Sequence, residues 1–191
     1  LNAQACGVLG TLGNGQWPNL KPTRNTTPDL SVILRHLDAL KTDSVNLAAL
    51  EVSSHGLDQK RVQGLHFDVA ILTNVTQDHL DYHGTMEQYF TVKRRLFAEY
   101  NPRVAIINID DEYGQRLAVD DGVGARVITY GRHSQADVRY ELTELSASGM
   151  HANIITPWGN AELVLPLIGE FNLANTCAAI AALAEQGLNF Q

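Results

Sequence analysis

Short apolar runs alternate with segments of helical period along the first half of this chain, a pattern that points to an α/β domain with a largely parallel sheet. Leu47 to Val52 and Val69 to Val75 are runs of strand length bounded by polar turns, and each reads as a buried strand. Val104 to Ile109 is a third, and Val127 to Tyr130 a fourth. Thr27-Pro28-Asp29 marks a helix start, with Thr27 as N-cap and proline in the first helical position. Leu30, Ile33, Leu34, Leu37 and Leu40 then share one helical face. A second helix begins near Thr85, where Thr85 and Gln88 have the spacing of a capping box. From Asp137 to about Ile168 the grammar changes to alternating segments broken at Ser148-Gly149 and Gly159-Asn160, which predicts a small antiparallel β appendage. An alanine-rich helix from Asn172 to Leu188, stopping near Gly187, closes the chain.

The 191 residues suit one main domain with a proper core, spanning 1–191. A net charge of −7 argues against nucleic acid or an anionic membrane as partner, because neither polyanion gains from an acidic surface. Two cysteines, Cys6 and Cys177, do not make a disulfide framework. The longest apolar stretch, Cys177 to Ala184, is far below bilayer-spanning length, and a soluble, cytoplasmic protein is the expectation.

Glu51 ends one apolar strand and His79 follows another by a few residues, so both are placed to emerge at the carboxyl edge of a parallel sheet, where α/β domains put their ligands. A metal site is one reading. A surface carboxylate capping the next helix and an ordinary loop histidine are the other. Lys93 falls within the stripe Met86, Tyr89, Phe90, Leu96, Phe97 and Tyr100, so it is aimed inward. Either its stem packs while the ammonium reaches water, or partial burial releases a neutral amine that reacts with CO2 to give an anionic carbamate. Asn25-Thr26-Thr27 and Ser53-Ser54-His55-Gly56 offer hydroxyls and free amides at helix starts, either to a ligand or merely as caps. Gln59 and Arg61 have the chemistry to meet a carboxylate or phosphate, or to form a solvated helix face. Gly7 to Gly15 is glycine-rich but lacks a Gly-Lys-Ser/Thr ending, so it reads as a strand-to-turn connection and not as a phosphate loop.

Taken together, EVSSHGLDQKR at 51–61, TNVTQDHLDYHGTMEQYFTVKRRLF at 73–97, INIDDEYG at 107–114 and GEFNLANTCAAIAAL at 169–183 resemble the Mur ligase family, and within it the MurE type. GVLGTLGNG and PTRNTT resemble the same type, and the likeness spans nearly the whole chain. It implies the family's central domain, a P-loop-NTPase-like, mostly parallel sheet flanked by helices. It also implies an ATP- and Mg2+-dependent ligase: a carboxylate becomes an acyl phosphate, and an amine displaces the phosphate. The substrate implied is UDP-N-acetylmuramoyl-L-alanyl-D-glutamate, and the amine a diamino acid, meso-diaminopimelate in preference to L-lysine. By the same resemblance Glu51 and His79 match magnesium-site positions, and Lys93 matches the carbamylated lysine, a further metal ligand. Asn25, Thr26, Thr27, Ser53, Gln59 and Arg61 match positions that hold the muramoyl dipeptide. Asn175, with Asn172, matches the adenine contact. Asp110 and Asp111 receive no role. The phosphate loop and the family's N-terminal and C-terminal domains have no counterpart here, so the chain by itself is expected to be inactive. A MurF-type or folylpolyglutamate synthase-like ligase and a non-catalytic precursor-binding module are the alternatives.

Overall fold

The computed structural model describes residues 5–78 and 80–187. The chain divides into two compact units, Leu1–Leu65 with Thr91–Arg95, and His66–Phe90 with Leu96–Gln191. No helix among the described residues is long and apolar enough to cross a membrane.

The first unit is built on a four-stranded sheet in the order β3-β2-β1-β4. Strand β1 (Cys6–Gly10) turns back through Thr11 and Leu12 into β2 (Gly13–Gln16), so the glycine-rich opening is the strand-to-turn connection that its sequence implies, and the turn closes a hairpin. Strand β3 (Asn19–Lys21), which has no clear sequence signal at three residues, extends the hairpin. On its other side β1 pairs in parallel with β4 (Leu47–Leu50). The expectation of a buried strand is corrected here: Ala48 and Ala49 are exposed, and Leu47 and Leu50 half-buried. Among the described residues β4 closes the order of its sheet, with β1 as its one strand neighbour, and alanine offers little surface to bury.

Helix α1 (Leu30–Thr42) connects the hairpin to β4. It begins two residues later than Pro28 implies, with Asp29 as N-cap, because the Thr27 hydroxyl is committed elsewhere. Ile33 and Leu40 of the expected stripe are buried, whereas Leu34 is half exposed. Helix α2 (Ser54–Asp58) follows β4, capped by Ser53, whose hydroxyl accepts the Gly56 N–H at 3.0 Å.

The second unit holds a six-stranded sheet in the order β10-β9-β8-β7-β6-β5. Strands β5 (Val69–Leu72), β6 (Val104–Asn108) and β7 (Arg126–Gly131) are parallel, and β7 meets β8 (Val138–Ser146) in parallel over two residue pairs. Strands β9 (Gly149–Thr156) and β10 (Gly159–Leu165) run antiparallel to their neighbours, so the appendage is continuous with the parallel strands. Between β5 and β6 lie α3 (Leu80–His83) and α4 (Met86–Ala98); α5 (Glu112–Ala118) follows β6. The Thr85 hydroxyl accepts the Gln88 N–H at 3.2 Å, one half of a capping box, while the Thr85 N–H turns to His83 O.

Helix α6 (Phe171–Glu185) lies across β6, β7 and β8, and its small residues Ala174, Cys177, Ala178 and Ala181 let it sit close on Ile106, Tyr130 and Val138. The Tyr130 hydroxyl donates to Leu72 O at 3.1 Å inside this core, and burial holds its phenol well above the ordinary range. Both cysteines are free thiols.

Candidate functional site

The carboxyl ends of β1 and β4 lie side by side, and Glu51 is the first residue beyond β4. Its N–H donates to Leu9 O at 2.8 Å, which extends the parallel ladder by one step. Its carboxylate does not cap α2. Oε2 accepts from the Thr11 N–H at 3.1 Å and from the Thr11 hydroxyl at 2.7 Å, so the side chain folds over the β1–β2 turn. That approach requires glycine at position 10, where an added Cβ would stand 2.6 Å from the Glu51 carboxyl carbon. Thr11 has no sequence signal beyond its place in a glycine-rich turn.

The Thr11 hydroxyl is also within hydrogen-bond reach of the Thr26 hydroxyl, at 3.2 Å. Thr26 and Asn25 are exposed, and the Asn25 backbone is held in a tight turn by the Thr23 hydroxyl, which donates to Asn25 O at 3.0 Å. Thr27, the next residue, is fully buried. Its hydroxyl donates to Glu51 O at 2.7 Å, accepts the Ser53 N–H at 2.8 Å and lies 3.1 Å from the Ser53 hydroxyl. Thr27 thus locks the Asn25-Thr26 loop to the end of β4 instead of facing solvent.

Arg61 is not on a solvated face. One terminal nitrogen donates to Thr27 O at 2.8 Å and the other to Gln59 Oε1 at 2.5 Å. Nε is buried without a hydrogen bond; the carboxylate of Asp29 stands 3.6 Å away, an ion-pair distance too long for one. The guanidinium therefore buttresses the 27–29 segment. Five of the six residues matched to dipeptide binding, Thr26, Thr27, Ser53, Gln59 and Arg61, are joined with Glu51 and Thr11 in hydrogen-bonded chains within the first unit, and Asn25 precedes Thr26 directly.

Lys93 is half-buried on α4, between the buried pairs Tyr89–Phe90 and Leu96–Phe97, as its place in the apolar stripe implies. His79 lies outside the described residues. Among the described residues no group of three His, Cys, Asp or Glu side chains is arranged to hold a metal ion. The donors that do converge, the Glu51 carboxylate with the Thr11 and Thr26 hydroxyls, are hard oxygens. This is the chemistry of Mg2+, which takes one or two carboxylates and fills its shell with water and phosphate.

In the second unit Asn172 and Asn175 occupy the first turns of α6, Asn172 half-buried and Asn175 exposed. Asn172 Nδ2 donates to Ile168 O at 2.9 Å. Asp111 is the N-cap of α5, accepting the Gly114 N–H at 2.9 Å, and its second oxygen accepts the Val75 N–H at 3.1 Å. The INIDDEYG segment thereby acquires a structural role that its sequence left open.

The family model described as the Mur ligase middle domain matches residues 1–183. The chain is 45% identical over 183 residues to a UDP-N-acetylmuramoyl-L-alanyl-D-glutamate–2,6-diaminopimelate ligase of Neisseria meningitidis serogroup A, covering 94% of this chain and 37% of that protein. It is 43% identical over 188 residues to the ligase of the same name from Pseudomonas aeruginosa, covering 98% and 38%. A solved structure carrying that name superposes with a TM-score of 0.88 at 36% identity, over 98% of this chain and 39% of the other. A MurF ligase from Thermotoga maritima, solved in complex with ADP, shares the fold at a TM-score of 0.64 and 18% identity. The chain thus spans under two fifths of the length of these relatives. With a family model over nearly all of its residues and relatives above 40% identity, this chain belongs to the Mur ligase family, as its middle domain.

Proposed function

We propose that this chain is the nucleotide- and precursor-handling part of a cytoplasmic, ATP-dependent ligase that joins meso-diaminopimelate to UDP-N-acetylmuramoyl-L-alanyl-D-glutamate. The observation that carries the reading is the Thr11 bridge: one hydroxyl contacts both Glu51 and Thr26, so an anionic metal-binding candidate and an exposed loop for substrate share a single hydrogen-bonded edge. The names of the relatives at 41–45% identity supply the substrate and the amine.

In this reading Asn25 and Thr26 meet the muramoyl dipeptide directly. Thr27, Ser53, Gln59 and Arg61 hold them in place from behind, and Arg61 supplies positive charge near an anionic substrate. Glu51, His79 and a carbamate on Lys93 would hold Mg2+, which neutralises phosphate charge during transfer. The terminal D-glutamate carboxylate attacks the γ-phosphate of ATP, ADP leaves, and the amine of diaminopimelate then displaces phosphate from the acyl phosphate. Asn172 and Asn175 would face the adenine.

Calorimetric titration of the chain tests the substrate assignment. Saturable binding of UDP-N-acetylmuramoyl-L-alanyl-D-glutamate, weakened at least about tenfold by Asn25→Ala plus Thr26→Ala, is expected where two side-chain hydrogen bonds are lost. Equal affinity of the wild type for the dipeptide precursor and for UDP-N-acetylmuramic acid would show that the peptide is not read, and would remove the assignment.

A further inference from the structure

Asp110 sits just beyond β6, and its carboxylate accepts two backbone N–H groups of the turn after β7: Arg132 N at 2.9 and 2.7 Å, and His133 N at 3.0 Å. Its own N–H is held by Asn108 Oδ1 at 2.9 Å, so the carboxylate is aimed from both ends. The turn accepts it only because residue 131 is glycine. Gly131 has φ 142°, and a Cβ there would lie 2.6 Å from the Asp110 carboxyl carbon.

The turn so fixed presents Arg132. Its Nη1 donates to Glu170 Oε2 at 3.2 Å, and its Nε stands at ion-pair distance, 3.1 Å, from Oε1 of the same carboxylate. Glu170 is the N-cap of α6, and its main-chain carbonyl accepts the N–H groups of Leu173 at 3.0 Å and Ala174 at 3.3 Å. The far end of α6 is tied separately: the nearly buried Glu185 carboxylate takes both Arg103 and Arg126. Helix α6 is therefore fastened at each end by an arginine–glutamate contact, and only the N-terminal one leads to Asp110.

We infer that Asp110 is a positioning residue for the first turn of α6, acting through the 131–133 turn and the Arg132–Glu170 ion pair. Resting on the nucleotide reading above, it thereby sets where Asn172 and Asn175 stand for the base of ATP. With the last turn of α6 tied separately through Glu185, the Arg132–Glu170 contact holds the first turn, the end where the nucleotide would be met.

Amide hydrogen exchange on the chain, without nucleotide, tests the clasp. Asp110→Ala should accelerate exchange at Arg132, His133, Asn172, Leu173 and Ala174 by about tenfold or more, while the last turn of α6 keeps its protection. Arg132→Glu, at a largely exposed side chain, keeps the fold if Asp110→Ala does not. It should accelerate Asn172, Leu173 and Ala174 about two- to fivefold, as should Glu170→Arg, and the double swap should restore protection. Unchanged first-turn exchange in Arg132→Glu, or no rescue in the double swap, would overturn the inference. The same variants, titrated with ATP, should bind about two- to fivefold more weakly than wild type. A loosened first turn with unaltered ATP affinity would overturn the link to the nucleotide. Failure of the wild-type chain to bind ATP would instead count against the nucleotide reading, with the exchange result still judging the clasp.

Discussion

Replacing Thr27 by valine removes one oxygen and keeps the shape, which makes it a clean test of the hydrogen-bonded edge. Thr27 is fully buried, and Gly56 lies so close that a Cβ there would stand 2.8 Å from the threonine side chain, so a larger residue would not fit. Valine fits, but it leaves Glu51 O without its side-chain donor and the Ser53 N–H without an acceptor. An unsatisfied buried group costs about 1–3 kcal/mol, so two of them, relieved in part by the neighbouring Ser53 hydroxyl, cost about 2–4 kcal/mol. The two compact units need not unfold together, so a bulk spectroscopic transition would blur the effect. Amide exchange at Glu51, whose N–H bonds to Leu9 O, reports the first unit alone. Exchange there should accelerate by about thirty- to almost a thousandfold, the same free energies expressed as a ratio. Thr27→Ser keeps the oxygen, loses one methyl and should cost only about 1 kcal/mol. A Thr27→Val protein as protected as Thr27→Ser would refute the claim that this hydroxyl holds the edge together.

Three further outcomes follow from the second unit and the cysteines. Burial pushes the Cys177 thiol up to about 12, with Asp110 adding to it, and partial burial raises the half-buried Cys6 as well, so iodoacetamide at pH 8 should label Cys6 slowly in the folded chain and reach Cys177 only on unfolding; prompt labelling of Cys177 would contradict the packed α6 interface. The fork between Arg116 and Glu87 holds the Glu87 carboxyl below the usual carboxylate range, so its contribution is present above that range and is lost as pH falls through the depressed value; Glu87→Gln should flatten the melting-temperature profile on the acid side and leave its alkaline side unchanged. Tyr130 behaves in the opposite sense: its raised phenol favours the fold below the ordinary tyrosine range and withdraws that support as pH climbs past it, so Tyr130→Phe should lose about 1 kcal/mol at neutral pH through the Leu72 bond and soften the alkaline limb.

How much of this was legible beforehand depends on how local each signal is. Strand β6 shows cleanly in VAIIN because it has neighbours on both sides and is buried over its first four residues. Strand β4 ends its sheet among the described residues and carries two alanines where β6 carries mostly bulkier residues, and sequence pattern holds no information about sheet order. Helices α2, α3 and α5, of five, four and seven residues, fall below the window in which helical period can be recognised. Thr27-Pro28 has the chemistry of a helix start, yet its hydroxyl forms tertiary bonds to residues 24 and 26 positions away, and the cap passes to Asp29. Glu51 and Lys93 were legible as candidates because a strand end and a polar break in an apolar stripe are local facts. Thr11, Arg132 and Glu170 were not, since each matters only through a partner at least 15 residues away.

Ligation itself decides whether this chain serves a diaminopimelate-adding ligase. The measurement replaces the matched segment of the Pseudomonas aeruginosa relative by this chain and follows ATP-dependent transfer of labelled meso-diaminopimelate onto UDP-N-acetylmuramoyl-L-alanyl-D-glutamate. Product that requires ATP and Mg2+, and that is lost on Glu51→Ala or Lys93→Ala, is expected. A folded graft that binds the precursor and ATP yet transfers no diaminopimelate, or that extends a precursor already carrying the third amino acid, would contradict it.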